Sequence, residues 1–238
     1  MNGDRLRGQV DYYRTRAEEY DDFWLRRGNY ALPRAQRDQW FTDAAEAEDA
    51  VRTWVPVGTV LEIACGTGLW TQHLVRRATS VTVVDAAPEM LDLHRQRLAP
   101  VEGATSGIAV KRVLADVFSW RPASSSFDAV FFGYWHSHVP DDRLEGFWAD
   151  VRRTLRPGGR VMLVDSSAYP PGTPGDQNDG LERRRISDGR EFHVVKRYWD
   201  PDDLTAFLSE LGWSVSARTT THGMILLAQA EPATDGRG

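Results

Sequence analysis

Residues 60–68 read Val60-Leu61-Glu62-Ile63-Ala64-Cys65-Gly66-Thr67-Gly68. A short apolar strand leads here into two glycines, and a helical pattern begins near Leu69. Glycine at 66 and 68 permits positive φ angles and lets backbone N–H groups approach a ligand. A helix N-terminus that points into the same crevice would add its positive dipole end. The pattern therefore predicts a small-molecule binding turn at the end of a buried strand.

The residues around the two glycines separate two ligand classes. A dinucleotide-binding turn would read Gly-x-Gly-x-x-Gly, but Thr71 stands at the third glycine position and Glu62 precedes the first glycine. The turn instead resembles the first motif of the class I S-adenosylmethionine-dependent methyltransferases. A nicotinamide-dependent oxidoreductase and an S-adenosylmethionine-binding module without catalysis stay open as alternatives.

Further strand patterns follow in the order that this family would show. Ser80–Asp85 ends in an acid about 20 residues past the first glycine, a spacing that places a carboxylate on ribose hydroxyls. Residues 110–114 form a third strand before Ala115-Asp116-Val117, and 127–133 form a fourth. Residues 155–165 combine a helix end, a Pro-Gly-Gly turn and a fifth strand. The resemblance implies that the acid after the third strand lies at the adenine.

These elements predict an α/β fold with a doubly wound, mostly parallel seven-stranded sheet and a C-terminal antiparallel hairpin. A length of 238 residues with 41% hydrophobic content suits a single domain over 1–238. We expect an amphipathic helix over Gln9–Trp24 and another from about Thr42 to Trp54. The regions are a helical lid (1–55), a cofactor-binding core (56–165), an inserted substrate cap (166–199) and a C-terminal helix and hairpin (200–230).

Charge and composition narrow the classes of partner. A net charge of -5 and a pI near 5.7 argue against a nucleic-acid footprint, which would show as a basic excess. The sequence shows no apolar run of membrane-spanning length and no secretory signal, so we expect a cytoplasmic protein without a membrane partner. The one cysteine, Cys65, excludes an internal disulfide and is interpreted as structural. The oligomeric state is left open.

The cap segment is long and changes in composition. Residues 169–180 are rich in proline and glycine, which predicts a mobile loop. The part that follows concentrates positive charge around a predicted hairpin turn at Asp188-Gly189. Its basic residues are Arg183, Arg184, Arg185, Arg190, Lys196 and Arg197. In an otherwise acidic chain this charge predicts a small anionic substrate. If the stretch is extended, Arg184 faces away from Arg183 and Arg185.

Several stretches resemble, within the same family, the phosphonate O-methyltransferases of dehydrophos biosynthesis. They are Tyr12-Tyr13-Arg14-x-Arg16-Ala17-x-Glu19-Tyr20-Asp21, Trp135-x-x-His138-Val139-Pro140-Asp141-Asp142-Arg143 and Asp188-Gly189-Arg190-x-Phe192. The resemblance implies an anionic phosphonate or carboxylate acceptor, a role in natural-product biosynthesis and substrate binding by Arg184, Lys196 and Tyr30. It also implies S-adenosyl-L-methionine as cofactor and S-adenosyl-L-homocysteine as product.

The candidate site residues fall into two further groups. The candidate cofactor-binding residues are Tyr13, Arg16, Tyr20, Glu62, Ala64, Gly66, Gly68, Trp70, Asp85, Ala86, Met90, Asp116 and Val117. The candidate bases are His138 and His136, which would share one face of an extended segment. No third ligand has convincing spacing, so we expect no metal.

An anionic acceptor oxygen needs no base, because no proton has to leave it. A phenol, hydroxyl or amine acceptor would instead require His136 or His138 to take a proton. Both routes stay open at this point.

Overall fold

The computed structural model describes residues 2–54, 58–104, 108–167 and 180–233. Its helices are α1 Asn2–Thr15, α2 Asp22–Leu25, α3 Arg34–Trp54, α4 Thr71–Leu74, α5 Pro88–Ala104, α6 Asp141–Thr154 and α7 Pro201–Glu210. Its strands are β1 Thr59–Ile63, β2 Ser80–Asp85, β3 Ala109–Leu114, β4 Phe127–Gly133, β5 Leu155–Ser166, β6 Leu181–Arg185, β7 Glu191–Val195, β8 Trp213–Thr219 and β9 Ile225–Pro232. Short 3₁₀ turns lie at Ala17–Glu19, Gly28–Tyr30 and His136–His138.

Within the described residues, seven strands form one sheet in the order β3-β2-β1-β4-β5-β9-β8. The pairs from β3 to β5 are parallel, whereas β9 is antiparallel to both β5 and β8. The predicted α/β fold class and its C-terminal hairpin are thereby confirmed. The strand order reverses between β1 and β4, and ligands of open α/β sheets bind at the carboxyl ends of strands on either side of such a reversal.

The sheet has an apolar cluster on each face, because neighbouring residues of a strand point to opposite sides. On one face, Val60 and Phe131 belong to the cluster that includes the buried side chains of α3, α4 and α5. On the other face, Leu61 and Phe132 pack with the buried residues of α6 and α7. The strand ends at the reversal are therefore held from both sides.

Two predicted helix boundaries near the N-terminus were wrong. The predicted helix Gln9–Trp24 is α1, a 3₁₀ turn and α2, because the backbone leaves the helical region at Arg16 (φ -94°, ψ 11°). The helix predicted from Thr42 begins at Arg34, where the amide of Arg37 already bonds the carbonyl of Pro33 (2.9 Å). The polar residues before Thr42 are good helix formers, so the helix includes them.

The helix predicted after the glycine turn is a single turn, α4, and mixed three- and four-residue hydrogen bonds continue to Ala78. The predicted Pro-Gly-Gly turn lies inside β5, where the pairing with β4 shifts register between Phe127 and Ala129. The extra residues are accommodated as a bulge, and Gly158 supplies a positive φ of 77° there.

The hairpin β6–β7 forms a separate two-stranded sheet with the predicted turn at Gly189 (φ 91°). Helix α1 packs along β7, and Tyr12 joins Ile186 and Val194 in a small apolar cluster. The N-terminal helix and the β6–β7 hairpin therefore contact each other. The loop predicted at 169–180 lies, apart from Gly180, outside the described residues. No helix in the described part of the chain is long and apolar enough to span a bilayer.

Candidate active site

Two adjoining cavities lie at the strand reversal. The larger, of about 650 Å³, extends from the glycine turn to the ends of β2 and β3. The smaller, of about 60 Å³, lies beneath the N-terminal segment and the β6–β7 hairpin. Their walls share Tyr13, Tyr20, Ala64 and Tyr134. Two ligands that occupied these cavities would therefore meet at these four side chains.

Two of the four non-glycine residues with positive φ in the described part of the chain lie at this junction. Ala64 follows β1 with φ 52°, and Tyr134 follows β4 with φ 54°. Non-glycine residues rarely adopt such angles, and the surrounding structure has to offset the cost. Residues in this conformation cluster at ligand sites, and these two lie on either side of the strand reversal.

The glycine turn is held by a carboxylate. Asp85 accepts the amide of Gly66 on one oxygen (2.9 Å) and the amide of Ala87 on the other (2.9 Å). Burial raises the pKa of Asp85, although these amide donors oppose the shift. A Cβ at position 66 would lie 3.1 Å from the ring of Tyr20, so glycine lets the ring close over the turn. Asp85 lines the larger cavity, where each carboxylate oxygen can accept a further bond.

Glu62 lies beneath the turn and outside the walls of both cavities. It accepts the hydroxyl proton of Thr71 (2.5 Å), and His94 lies 2.9 Å from the same hydroxyl. Arg112 donates to Nδ1 of His94 (3.1 Å), so Nε2 of His94 carries the proton toward Thr71. Burial raises the pKa of Glu62 to about 8. The structure thus places Glu62 as a support of the turn, away from the expected cofactor contact.

The other expected cofactor residues divide between the cavities. Ala86, Met90, Asp116 and Val117 line the larger cavity with Gly66 and Asp85. Asp116 accepts the amide of Phe118 on one oxygen (2.9 Å). Trp70 and Arg16 line the smaller cavity, and Trp70 packs so closely on Gly133 that any Cβ there would collide with the indole. Gly68 lies outside both walls, where its φ of 85° shapes the turn.

Arg16, which directly follows α1, is buried, and no carboxylate among the described residues forms an ion pair with it. It donates to the hydroxyl of Tyr12 (2.6 Å) and to the carbonyl of Tyr20 (3.3 Å). Its guanidinium carbon lies 5.2–5.3 Å from the ring centroids of Tyr12, Tyr20 and Tyr30. Buried charges usually have a counter-charge, so an anionic ligand group fits beside Arg16.

Arg184 and Lys196 both line the smaller cavity, as expected from the sequence. Arg184 is 20% exposed and pairs with Glu182 (2.8 Å), while its Nε has no partner among the described residues. Burial opposes its charge, but Glu182 raises the pKa of Arg184. Arg183, one residue earlier, is 62% exposed and points away. Of the three consecutive arginines, Arg184 is the one that lines the cavity, because side chains alternate between the two faces of the strand.

Lys196 is already saturated with acceptors. Its ammonium donates to Ser137 Oγ (2.8 Å), Ser166 Oγ (3.1 Å) and Asp165 Oδ1 (3.4 Å). Burial lowers the pKa of Lys196, and Asp165 offsets part of that shift. An anion that contacts Lys196 has to replace one of these bonds. The contact with Asp165 is the longest of the three, but it is also a buried ion pair, so a serine hydroxyl is the partner that an anion would replace at lower cost.

Tyr30 lies half-buried beside this group. Its hydroxyl is 3.5 Å from the hydroxyl of Tyr12, and its ring faces Arg16. It is outside the walls of the smaller cavity and contacts residues that form them. The structure thus brings Arg184 and Lys196 to one cavity, with Tyr30 behind Arg16.

The two candidate bases are separated. His138 lines the smaller cavity, with Nε2 2.9 Å from the hydroxyl of Tyr13. His136 lies in the aromatic core, where Trp148 donates to its Nε2 (3.1 Å). The expectation that they share one face was wrong, because the segment is a 3₁₀ turn instead of extended chain. Burial lowers the pKa of His138 to about 3 and that of His136 to about 4.

A family model described as a methyltransferase domain matches residues 60–159. A solved structure of a DhpI–SAH complex is 34% identical, with a TM-score of 0.76 over 97% of this chain and 98% of that chain. A DhpI–SAM–HEP complex is 35% identical, with a TM-score of 0.75 over 96% and 98%. The chain belongs to the class I S-adenosylmethionine-dependent methyltransferases. S-adenosylmethionine is its cofactor, and the family resemblance predicted from the sequence is confirmed by this similarity to DhpI.

Curated relatives match this methyltransferase over a shorter region. The ubiquinone biosynthesis O-methyltransferase of Xylella fastidiosa is 33% identical over 107 residues, or 44% of this chain and 40% of that protein. The chain spans 38–61% of the length of the curated relatives that it matches. The family model covers residues 60–159, which contain the glycine turn and strands β2 to β4.

Sequence reasoning missed several residues of the methyltransferase site. Asp165 and Ser137 hold Lys196, Glu182 holds Arg184, and Tyr12 holds Arg16. Asp165 ends the fifth strand pattern, so its position at the carboxyl edge of the sheet was an available signal. Tyr12 and Glu182 carry no such signal, because their roles depend on how α1 meets the hairpin.

Proposed function

We propose that this methyltransferase moves a methyl group to an oxygen of a small anionic metabolite, a phosphonate or a carboxylate, in natural-product biosynthesis. The observation that carries the proposal is the convergence of Arg16, Arg184 and Lys196 on one small cavity that adjoins the cofactor cavity. An anion in that cavity would face positive charge on several sides.

The charge balance of the smaller cavity supports an anionic acceptor. Its charged wall residues are Arg16, Asp21, Arg184 and Lys196. Three of them have a partner of opposite charge: Asp21 with Arg97, Arg184 with Glu182, and Lys196 with Asp165. Arg16 is left as a net positive charge. S-adenosylmethionine itself carries a sulfonium, an ammonium and one carboxylate, so the loaded site gains a further positive charge and favours an anion.

The size of the cavity favours a small acceptor. A water needs about 10–15 Å³ of such volume. A cavity of about 60 Å³ therefore has room for about four to six water-sized groups. A small phosphonate or carboxylate fits in this volume. The similarity to the DhpI–SAM–HEP complex over 96% of this chain supports a comparable arrangement.

The residues present fit the cofactor. Asp85 and the glycine turn, which line the larger cavity, suit the ribose end of the cofactor. The cofactor supplies an electrophilic methyl group on a positively charged sulfur. The chain's own contribution is to hold the acceptor oxygen in line, to keep water out beneath the tyrosines and to anchor the anion through Arg184 and Lys196. No proton has to be removed from an acceptor that is already an anion.

The structure offers less support for a phenol or amine acceptor. His138 is the histidine on the cavity wall, but its pKa of about 3 makes it a weak base. Its Nε2 is also engaged by Tyr13. His136 lies outside both cavity walls.

The test is transfer of a radiolabelled methyl group from S-adenosylmethionine to a panel of phosphonates, carboxylates, phenols and amines. Formation of a labelled phosphonate or carboxylate ester, lost in Arg184→Ala and kept in Arg183→Ala, supports the proposal. Labelling of phenols or amines alone would contradict it. Cofactor binding without transfer to any acceptor would favour a non-catalytic binding module.

A further inference from the structure

The direction of one hydrogen bond at the cavity junction can be assigned. The carbonyl of Val195 lies 2.5 Å from Nδ1 of His138. A carbonyl oxygen can only accept, so Nδ1 carries a proton. The pKa of about 3, lowered by burial and by the charge of Lys196, keeps the ring neutral, so Nε2 is an acceptor. The hydroxyl of Tyr13, 2.9 Å away, therefore donates its proton to His138.

A second contact holds this arrangement in place. Gln9, one helical turn before Tyr13 on α1, is buried. Its amide donates to the carbonyl of His138 (3.3 Å), and its oxygen accepts the amide of Val195 (3.1 Å). Two side chains of α1, Gln9 and Tyr13, thus contact His138, and Gln9 also holds Val195. The docking of α1 fixes both the ring of His138 and the orientation of the Tyr13 hydroxyl.

The Tyr13 hydroxyl lies where the acceptor oxygen would approach the cofactor, because Tyr13 lines both cavities. Burial raises its pKa well above the usual value, so the phenol keeps its proton. With that proton directed at His138, the oxygen presents only lone pairs to the junction. A phenol whose proton was not engaged would donate it to a nearby anionic oxygen.

Such a donated bond would slow methyl transfer. It would stabilise the acceptor most while the oxygen carries its full charge, and it would weaken as that charge disperses in the transition state. We propose that His138 is a positioning residue that draws the Tyr13 proton away from the acceptor and keeps the acceptor oxygen nucleophilic. The inference rests on the proposed function, since it requires an anionic acceptor.

The decisive variants change the partner of Tyr13. In His138→Leu the Tyr13 hydroxyl loses its hydrogen-bond acceptor and can donate to the substrate instead. We therefore expect kcat to fall about tenfold while KM for the anionic acceptor stays level or falls. Adding Tyr13→Phe removes this hydroxyl donor, so the double variant should recover most of the lost kcat. His138→Gln, whose amide oxygen can accept from Tyr13, should retain most of the activity that His138→Leu loses.

His136→Leu is the matched control, because it removes a buried imidazole from the same turn without releasing Tyr13. Thermal unfolding and cofactor affinity are measured for every variant. A double variant no faster than His138→Leu, or a His138→Gln variant as slow as His138→Leu, would overturn the inference. A similar loss of kcat in His136→Leu would also overturn it. If the wild type methylates no anion at all, the proposed function fails; normal methylation of anions without the rescue contradicts this inference alone.

Discussion

The hydroxyl of Thr67, inside the glycine turn, donates a 2.7 Å hydrogen bond to the carboxylate of Asp21. Arg97 of α5 completes the cluster, because it donates to the same hydroxyl (2.8 Å) and forms an ion pair with Asp21. Asp21 lies just before α2, in the segment that covers the smaller cavity. The cluster therefore fastens the covering segment to the cofactor turn.

Breaking this cluster should loosen the cofactor. In Arg97→Gln we expect the dissociation constant for S-adenosylmethionine to rise about five- to tenfold, about 1–1.4 kcal/mol, mainly through faster release. Calorimetry and stopped-flow fluorescence measure the two quantities. Arg95→Gln is the control, since Arg95 pairs with Asp92 on its own helix and is mostly exposed. Equal affinities in both variants would contradict a fastening role.

The sheet and the glycine turn could be predicted from sequence because local patterns encode them. Acidic residues at or near strand ends, namely Glu62, Asp85 and Asp165, mark one edge of a parallel sheet, and this pattern does not depend on distant parts of the chain. The N-terminal region was predicted less well. Arg16 breaks the expected helix to reach the tyrosine rings, and those rings come together only after α1 has docked on β7.

The sequence predicted which charged residues line the candidate site, but it did not predict which residues they pair with. Arg184 and Lys196 were found from the basic segment and the family resemblance, and the structure brings both to the cavity. The ammonium of Lys196 donates hydrogen bonds to Asp165 and to two serines. These bonds form only because β5, the His136–His138 turn and the end of β7 lie next to one another in the fold. The spacing of residues along the sequence does not predict such long-range contacts.

Arg184 should control acceptor binding and not cofactor binding. In Arg184→Gln we expect KM for an anionic acceptor to rise tenfold or more, because the anion loses a cation and meets the released charge of Glu182. The cofactor dissociation constant should stay within about twofold. Steady-state kinetics with both substrates varied measures this.

The neighbouring residues supply controls for that result. Arg183→Gln removes an exposed arginine from the same strand and should leave KM unchanged. Adding Glu182→Gln to Arg184→Gln should recover part of the loss, because no unpaired carboxylate then faces the anion. A KM rise of equal size in Arg183→Gln would point to general electrostatics instead of a specific contact.

The pH dependence of kcat should follow the acceptor and not a histidine. His138 and His136 have pKa values lowered by burial to about 3 and about 4, so both are neutral across the usual assay range. We expect the plot of kcat against pH to show no titration limb near the ordinary imidazole pKa of about 6.5. With two acceptors of different acidity, any limb should move with the acceptor pKa. A limb fixed near 6.5 for both acceptors would indicate a histidine base.

Glu62 should make the fold less stable as pH rises. Its pKa of about 8 in the folded chain, raised by burial, compares with about 4.3 in the unfolded chain. Between these values the native state binds a proton that the unfolded state has released. The free energy of unfolding therefore falls by up to about 1.4 kcal/mol per pH unit, and the loss ends above the folded pKa.

Glu62→Gln isolates this contribution, because the amide oxygen can still accept from Thr71 and cannot titrate. Buried histidines and Asp85 titrate in both proteins, so their effects largely cancel in the difference. Urea unfolding between about pH 5 and 8 should show the variant gaining stability relative to the wild type as pH rises. Parallel curves would mean that Glu62 is already ionised beneath the glycine turn, a state that the buried Thr71 hydroxyl would have to stabilise alone.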